Sequence, residues 1–143
     1  MRRLIRAARA GEWPAREAVG RVTLGFDDRC RPRVRLITDQ GEPMLLDLAF
    51  PVQLAEGDGL GLEGDAGWVR VRAAEEEVLE IQIADPTRLA RLAWHLGNRR
   101  LPVQILDNGR LRVRYDHTVE DVVKALGARG ERKRRRFQPE AGV

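Results

Sequence analysis

The sequence predicts an α+β fold, with a small all-β domain over residues 1–74 and a ferredoxin-like βαββαβ domain over residues 75–143. Two observations support this prediction. Before residue 75, apolar and polar residues alternate with the period of a strand, and glycines fall between the alternating segments. After residue 75, two segments with helical periodicity lie between strand-like segments in the order β-α-β-β-α-β.

Short strands joined by turns account for the first domain. Residues 19–24 and 33–36 alternate between the two faces expected of a strand. Residues 39–42 have the composition of a turn, and residues 44–48 return from it. Residues 68–72 alternate in the same way, so the sequence predicts a set of β-hairpins.

A glycine-rich stretch at residues 57–67 precedes that last strand. Within it, residues 59–64 match the G-x-G-x-x-G dinucleotide pattern. That pattern binds a pyrophosphate only where the glycines open a helix, and here a strand follows instead. The sequence therefore does not indicate nucleotide binding.

The second domain begins beyond a run of glutamates at residues 75–77. Residues 78–83 predict a strand, and Asp85 with Pro86 suits the N-cap and first position of a helix. Gly97 and Asn98 mark the end of that helix. Its apolar stripe has the spacing i, i+3, i+4, i+7 and consists of Leu89, Leu92, Ala93 and Leu96.

A hairpin and a second helix complete the domain. Asn108-Gly109 separates two alternating segments, residues 101–106 and 111–115, which is a strong hairpin signal. Either Asp116 or Thr118 can cap the next helix, and a final strand is expected near residues 131–137. The stripe of this second helix consists of Val119, Val122, Val123 and Leu126, with Gly127 at its end.

Composition excludes several functional classes. The chain has 143 residues, 43% hydrophobic and 34% charged, without a run of 18 apolar residues, so we expect no membrane span and a cytoplasmic location. It contains no serine, and its single cysteine, Cys30, lies in a segment that predicts a turn. No nucleophile–base pair can be assembled, so we expect a protein that is not an enzyme.

A net charge of +4 raises the question of nucleic-acid binding. The one basic run is residues 132–136, which can equally form a charged strand at a sheet edge. A ferredoxin-like RNA-binding domain would carry paired aromatic residues on its central strands. Tyr115 stands alone at the end of the third strand, so RNA binding is the less favoured alternative.

The second domain closely resembles a known family. Its segment Trp94-His95-Leu96-Gly97-Asn98-Arg99, continuing to residue 105, resembles the signature helix and strand of the UreE urease accessory proteins. Asp116-His117, which follows the hairpin, resembles another family motif. So does the C-terminal segment Phe137-Gln138-Pro139-Glu140-Ala141-Gly142.

This resemblance implies a homodimer that delivers nickel to the urease apoprotein together with a GTP-binding urease accessory protein. It further implies that the N-terminal β-domain contacts protein partners. Imidazole suits Ni²⁺, with Zn²⁺ or Cu²⁺ as possible replacements, and a two-fold axis lets each subunit supply the same ligand. His117 matches a family metal-site position, and Asp116 and His95 are further candidate ligands, although a structural or interface role is the favoured interpretation of His95. The expected interface residues are Asn98, Arg99 and Arg100.

Three departures from the family pattern leave a second interpretation open. The family motif usually has a histidine ligand where this chain has Arg100, and a guanidinium does not coordinate metals. Arg114 and Tyr115 precede Asp116-His117 where many members have further histidines, and the histidine-rich tail of many members is not present up to Val143. The alternative is a UreE-like assembly scaffold with weakened metal binding, which acts through protein contacts.

Overall fold

Ten β-strands and three α-helices form the regular structure of residues 1–141, the part of the chain that this computed structural model describes. The chain divides into two compact units, one from Met1 to Ala74 and one from Glu75 onward. The first unit is built mainly of strands, and the second combines four strands with two helices. The α+β fold class expected from the sequence is therefore confirmed.

The first unit contains β1 (Arg2–Ala8), β2 (Ala18–Leu24), α1 (Phe26–Arg29), β3 (Arg33–Ile37), β4 (Pro43–Asp47), β5 (Gly59–Leu62) and β6 (Trp68–Ala73). Its strands form one sheet in the order β2-β6-β5-β1-β4-β3. The pairs β1–β4 and β2–β6 are parallel, and the other neighbours are antiparallel. The Asp39 amide, just after β3, donates to the Arg21 carbonyl of β2 at 2.8 Å, so the sheet curls around its core.

Strand β5 occupies the glycine-rich stretch that the sequence analysis treated as a connection. Its glycines make room for large side chains, since a Cβ on Gly59 would lie 2.4 Å from the Trp13 ring. A Cβ on Gly61 would lie 2.9 Å from the Arg6 guanidinium. Trp13 is held in place because its indole N–H donates to the Gly57 carbonyl at 3.0 Å. These glycines therefore serve packing.

Two further elements of the first unit, β1 and α1, were not predicted. β1 buries Leu4 completely between flanking arginines. The segment around Cys30 was expected to be a turn, but α1 occupies its first part. Arg29, the last residue of α1, is only 1% exposed. The Arg29 guanidinium donates to the carbonyls of Leu24 at 3.2 Å and Leu54 at 3.0 Å. A buried arginine is rare, and no pattern in the sequence indicates one.

The second unit contains β7 (Glu75–Gln82), α2 (Pro86–Asn98), β8 (Gln104–Ile105), β9 (Arg110–Arg114), α3 (His117–Ala125) and β10 (Gly130–Arg136). Its strands are antiparallel in the order β10-β7-β9-β8, which is the ferredoxin-like arrangement expected from the sequence. β8 is shorter than expected. None of the helices in residues 1–141 has the length and apolar character needed to cross a bilayer.

The two longer helices cover one face of this sheet, where they share a core with the inward residues of β7 and β9. The hairpin forms as expected, with positive φ at Asn108 and Gly109. This core consists of Leu79, Ile81, Ile83, Leu92, Leu96, Leu111, Val113, Val119 and Val123.

The opposite face is built around a buried carboxylate. Glu80 alternates with the core residues of β7 and is 7% exposed. It accepts hydrogen bonds from Arg112 Nε at 2.9 Å and Lys133 Nζ at 3.1 Å. Burial raises the pKa of the Glu80 carboxyl, but these hydrogen bonds and the neighbouring positive charges together lower it by more. The pKa of Glu80 therefore lies below its ordinary value.

The segment after β10 crosses the same face. Phe137 is fully buried, and the Gln138 amide donates to Gln104 Oε1 at 2.9 Å. The Glu140 amide donates to the Val103 carbonyl at 2.9 Å. This part of the family-like C-terminal segment is therefore tied to the sheet, whereas its last residue, Gly142, lies outside the described residues.

Candidate metal-binding site

The family-like signature segment forms the second half of α2 and the turn after it. The Asp85 carboxylate caps the start of the helix by accepting from the Thr87 amide at 3.0 Å. The helix ends at Asn98, and the Arg100 amide donates to the Gly97 carbonyl at 2.8 Å. Arg100 has a φ of 58°. The three implied interface residues, Asn98, Arg99 and Arg100, are all exposed.

His95 lies on α2 in a half-buried position. Its ring meets the Trp94 ring edge-on, with centroids 5.1 Å apart. It also borders a small depression together with Arg88, Arg91 and Leu126. Two arginines beside an imidazole disfavour a divalent cation there, because like charges repel.

His117 is the first residue of α3 and is highly exposed, with a side-chain exposure of 83%. Its Nδ1 lies 3.7 Å from Asp121 Oδ2, one helical turn further on. Asp116 is the N-cap of α3, and the other predicted alternative, Thr118, is not. Asp116 Oδ1 accepts from the amides of Thr118 at 2.7 Å and Val119 at 3.3 Å. A carboxylate has further lone pairs, so capping leaves Oδ2 able to bind a cation.

The structure does not bring the two histidines together. His95 borders Leu126, which follows the last residue of α3, whereas His117 begins that helix. α3 has nine residues, and at about 1.5 Å for each residue its two ends lie about 13 Å apart. Within residues 1–141, no group of three or more His, Cys, Asp or Glu side chains is placed to hold a metal ion.

An open cleft of about 510 Å³ brings two of the implied segments together. Leu101, directly after Arg100, lines this cleft together with Asp116 and Thr118. The interface segment and the Asp116-His117 segment therefore border one region of the second unit. The remaining lining residues are Pro102, Val113, Arg114, Tyr115 and Val119.

Two large apolar side chains of the second unit point into solvent. Trp94 is 63% exposed and Ile105 is 61% exposed. Trp94 therefore lies outside the core, beside the His95 ring. Sequence reasoning missed Ile105, because its strand was expected to be longer and its outward face could not be identified from so short an alternation.

Comparison with known proteins identifies the family. The family model described as the UreE urease accessory protein N-terminal domain matches residues 1–74, and that of the C-terminal domain matches residues 76–143. The chain belongs to the UreE family. This confirms the resemblance noted in the sequence, and it extends the match over the N-terminal half.

Several relatives share the name urease accessory protein UreE. The protein from Rhodopseudomonas palustris (strain BisB18) is 47% identical over 126 residues, which cover 88% of this chain and 59% of the relative. That from Bradyrhizobium sp. (strain BTAi1) is 48% identical over 142 residues, covering 98% of this chain and 68% of the relative. That from Ruegeria pomeroyi is 43% identical, covering 94% and 86% respectively. This chain thus spans about three fifths of the first relative.

These names describe accessory proteins and not enzymes. The expectation that the protein is not an enzyme is therefore confirmed by its UreE relatives.

Proposed function

We propose that this UreE protein is a metallochaperone that binds Ni²⁺ as cargo and delivers it for assembly of the urease metallocentre. The observation that carries the proposal is the position of His117, which is exposed on the first turn of α3 with Asp121 3.7 Å away. An exposed imidazole beside carboxylates can accept a cation and release it again. A cargo site must do both.

The ligand set within one copy is small, which favours a site shared between two copies. His117 and the neighbouring carboxylate of Asp121 make only a weak site for Ni²⁺, and the Asp116 carboxylate would have to move to join them. A two-fold axis near the cleft would supply a second set of the same residues. The exposed Trp94 and Ile105 offer apolar area for such a homodimer. Cu²⁺ would bind the same nitrogen and oxygen ligands more tightly, and Zn²⁺ would compete with Ni²⁺.

The proposed partners are the urease apoprotein and the GTP-binding urease accessory protein, in the cytoplasm. We assign contact with these partners to the N-terminal unit, residues 1–74, and metal binding and dimerisation to residues 75–143. This assignment rests on the family membership of both parts.

Delivery is tested by activating purified urease apoprotein with the Ni²⁺-loaded protein while a chelator removes free Ni²⁺. The wild-type protein should restore urease activity. His117→Ala should lose most of the effect, and His95→Ala should keep it. Equal activation by both variants would contradict the role of His117.

One observation favours the alternative of an assembly scaffold. Arg100 stands where the family motif usually has a histidine, and two guanidinium groups across an axis would repel a cation. Under the metallochaperone proposal, Arg100→His should add an imidazole near the cleft and tighten Ni²⁺ binding at least tenfold. If the wild type binds no Ni²⁺ yet still promotes urease activation, the scaffold is correct.

A further inference from the structure

Strand β10 forms the most concentrated basic surface of the chain. Residues 132–136 are five consecutive basic residues, and all four arginines among them are exposed. Because side chains alternate along a strand, the positive charges project from both faces of the sheet. Lys133 lies with Glu80 on one face, while Arg132 lies over the Tyr115 ring at 3.7 Å on the other.

This strand is also a sheet edge. In the order β10-β7-β9-β8, β10 pairs with β7 on one side only. The opposite edge strand, β8, has two residues, whereas β10 has seven. A strand of two residues offers too few unpaired backbone groups to pair with another chain, whereas a long edge strand presents a continuous row of them.

The register shows which backbone groups face outward. The Tyr115 amide donates to the Glu77 carbonyl, so the odd-numbered residues of β7 bond to β9. Its even-numbered residues therefore bond to β10, and Val78 is opposite Lys133. It follows that the backbone N–H and C=O groups of Arg132 and Arg134 point away from the sheet. An added strand would pair there and would replace the Arg135 guanidinium as the donor to the Arg134 carbonyl.

Within residues 1–141, part of the positive charge on β10 is not matched by a carboxylate contact. Arg132 pairs with Glu77 at 3.2 Å, and Lys133 pairs with Glu80. In contrast, Arg134 Nη2 donates to the Glu75 carbonyl at 3.1 Å, and Arg135 Nη1 donates to the Arg134 carbonyl at 2.8 Å. Carbonyl oxygens carry no full charge, so these two guanidinium groups remain attractive to an anion.

We propose that the outer edge of β10 binds an acidic, extended segment of a partner protein, which adds to the sheet as a fifth strand. Backbone hydrogen bonds would give such a segment its register, and its carboxylates would meet arginines on both faces. A nucleic acid fits less well, because it cannot pair with strand N–H groups and Arg132 already covers the Tyr115 ring face.

The residues of this binding edge differ from those of the proposed nickel site. His117 and Asp121 lie on α3 and Asp116 is its N-cap, whereas the peptide would pair with residues of β10. Loss of metal binding would therefore leave the β10 proposal standing, and the reverse also holds.

The test uses the full-length protein and a fluorescein-labelled decapeptide of alternating glutamate and threonine, with binding measured by fluorescence anisotropy. The wild-type protein should bind it, and binding should weaken as salt is raised. Arg134→Pro removes one outward N–H without touching the β7 ladder and should weaken binding at least tenfold. The double variant Arg134→Glu/Arg135→Glu should do the same.

A matched control changes the net charge equally elsewhere. Arg16→Glu/Arg35→Glu alters two exposed arginines of the first unit and should leave peptide binding within about twofold of the wild type, since neither residue belongs to β10. Slowed hydrogen exchange at the Arg132 and Arg134 amides on peptide addition would locate the new strand. The proposal is overturned if the peptide does not bind, if both double variants weaken it equally, or if only a labelled single-stranded oligonucleotide binds.

Discussion

The two units use their charged and aromatic side chains differently. In the first unit, two arginines are engaged within the fold: Arg29 is buried, and Arg6 lies 5.4 Å from the Trp68 ring. In the second unit, two residues that could bind a ligand or partner face solvent: the His117 side chain is 83% exposed and Trp94 is 63% exposed. Side chains already engaged within a fold stabilise it, whereas exposed ones are available to a ligand or partner. The comparison therefore supports the proposal that metal binding belongs to the second unit.

The largest effect should come from disturbing the packing of the first unit. Gly59→Ala places a Cβ 2.4 Å from the Trp13 ring, and the Arg70 guanidinium also lies over that ring at 5.4 Å. We expect a loss of about 3 kcal/mol in the free energy of unfolding. Urea unfolding with hydrogen exchange should show the loss in residues 1–74 and not in the second unit.

Gly97→Ala is the matched control in the second unit. Gly97 lies in α2, and a Cβ there would meet no atom within 4 Å. Alanine favours a helix more than glycine does, so the stability should rise by up to about 1 kcal/mol. Equal losses in both variants would mean that the tryptophan packing of the first unit is not what fixes β5.

The next effect concerns the hydrogen bonds around the buried Glu80 carboxylate of the second unit. Glu80→Gln keeps the shape of the side chain but removes the charge that Arg112 and Lys133 contact. We expect a loss of about 2 kcal/mol at pH 7, because hydrogen bonds to charged groups are the stronger kind. Urea unfolding at pH 7 measures this loss.

The same network predicts a pH dependence. The folded-state pKa of Glu80 lies below its ordinary value, so its stabilisation is present above the unfolded pKa of about 4.3 and is lost as pH falls through the folded pKa. Glu80→Gln should lack this part of the acid sensitivity. Glu131→Gln, at a 75% exposed side chain, should retain it. Identical acid profiles for the wild type and Glu80→Gln would contradict the account.

Sequence patterns predicted the second unit better than the first, for a physical reason. Asp85, Pro86 and the hairpin glycine act locally, so their roles can be recognised from their neighbours. The role of Gly59 depends on Trp13, which lies far away in the sequence. The same is true of Arg29, whose carbonyl partners include Leu54.

The candidate site was predictable in its residues but not in its geometry. The positions of Asp116 and His117 follow from the family motif. Their exposure and the separation of His117 from His95 depend on how α2 and α3 pack, which a helical stripe alone does not determine.

A smaller effect separates the two roles of Asp116. Asp116→Ala removes the helix cap and should cost about 1 kcal/mol, whereas Asp116→Asn should keep the cap and most of the stability. If Asp116 also contacts Ni²⁺, both variants should weaken binding. Thermal unfolding and Ni²⁺ titration of the same two samples distinguish the roles. If Asp116→Asn keeps the nickel affinity of the wild type, Asp116 acts only as the helix cap.

The central claim is that the exposed His117 provides the metal ligand of this UreE protein. Calorimetric titration of Ni²⁺ into the wild type, His117→Ala and His95→Ala tests it most directly, with sedimentation of the same samples giving the number of copies. We expect one Ni²⁺ per dimer at micromolar affinity, lost in His117→Ala and kept in His95→Ala. Absence of Ni²⁺ binding to the wild type would contradict the metal-carrier role and leave a scaffold that acts through protein contacts.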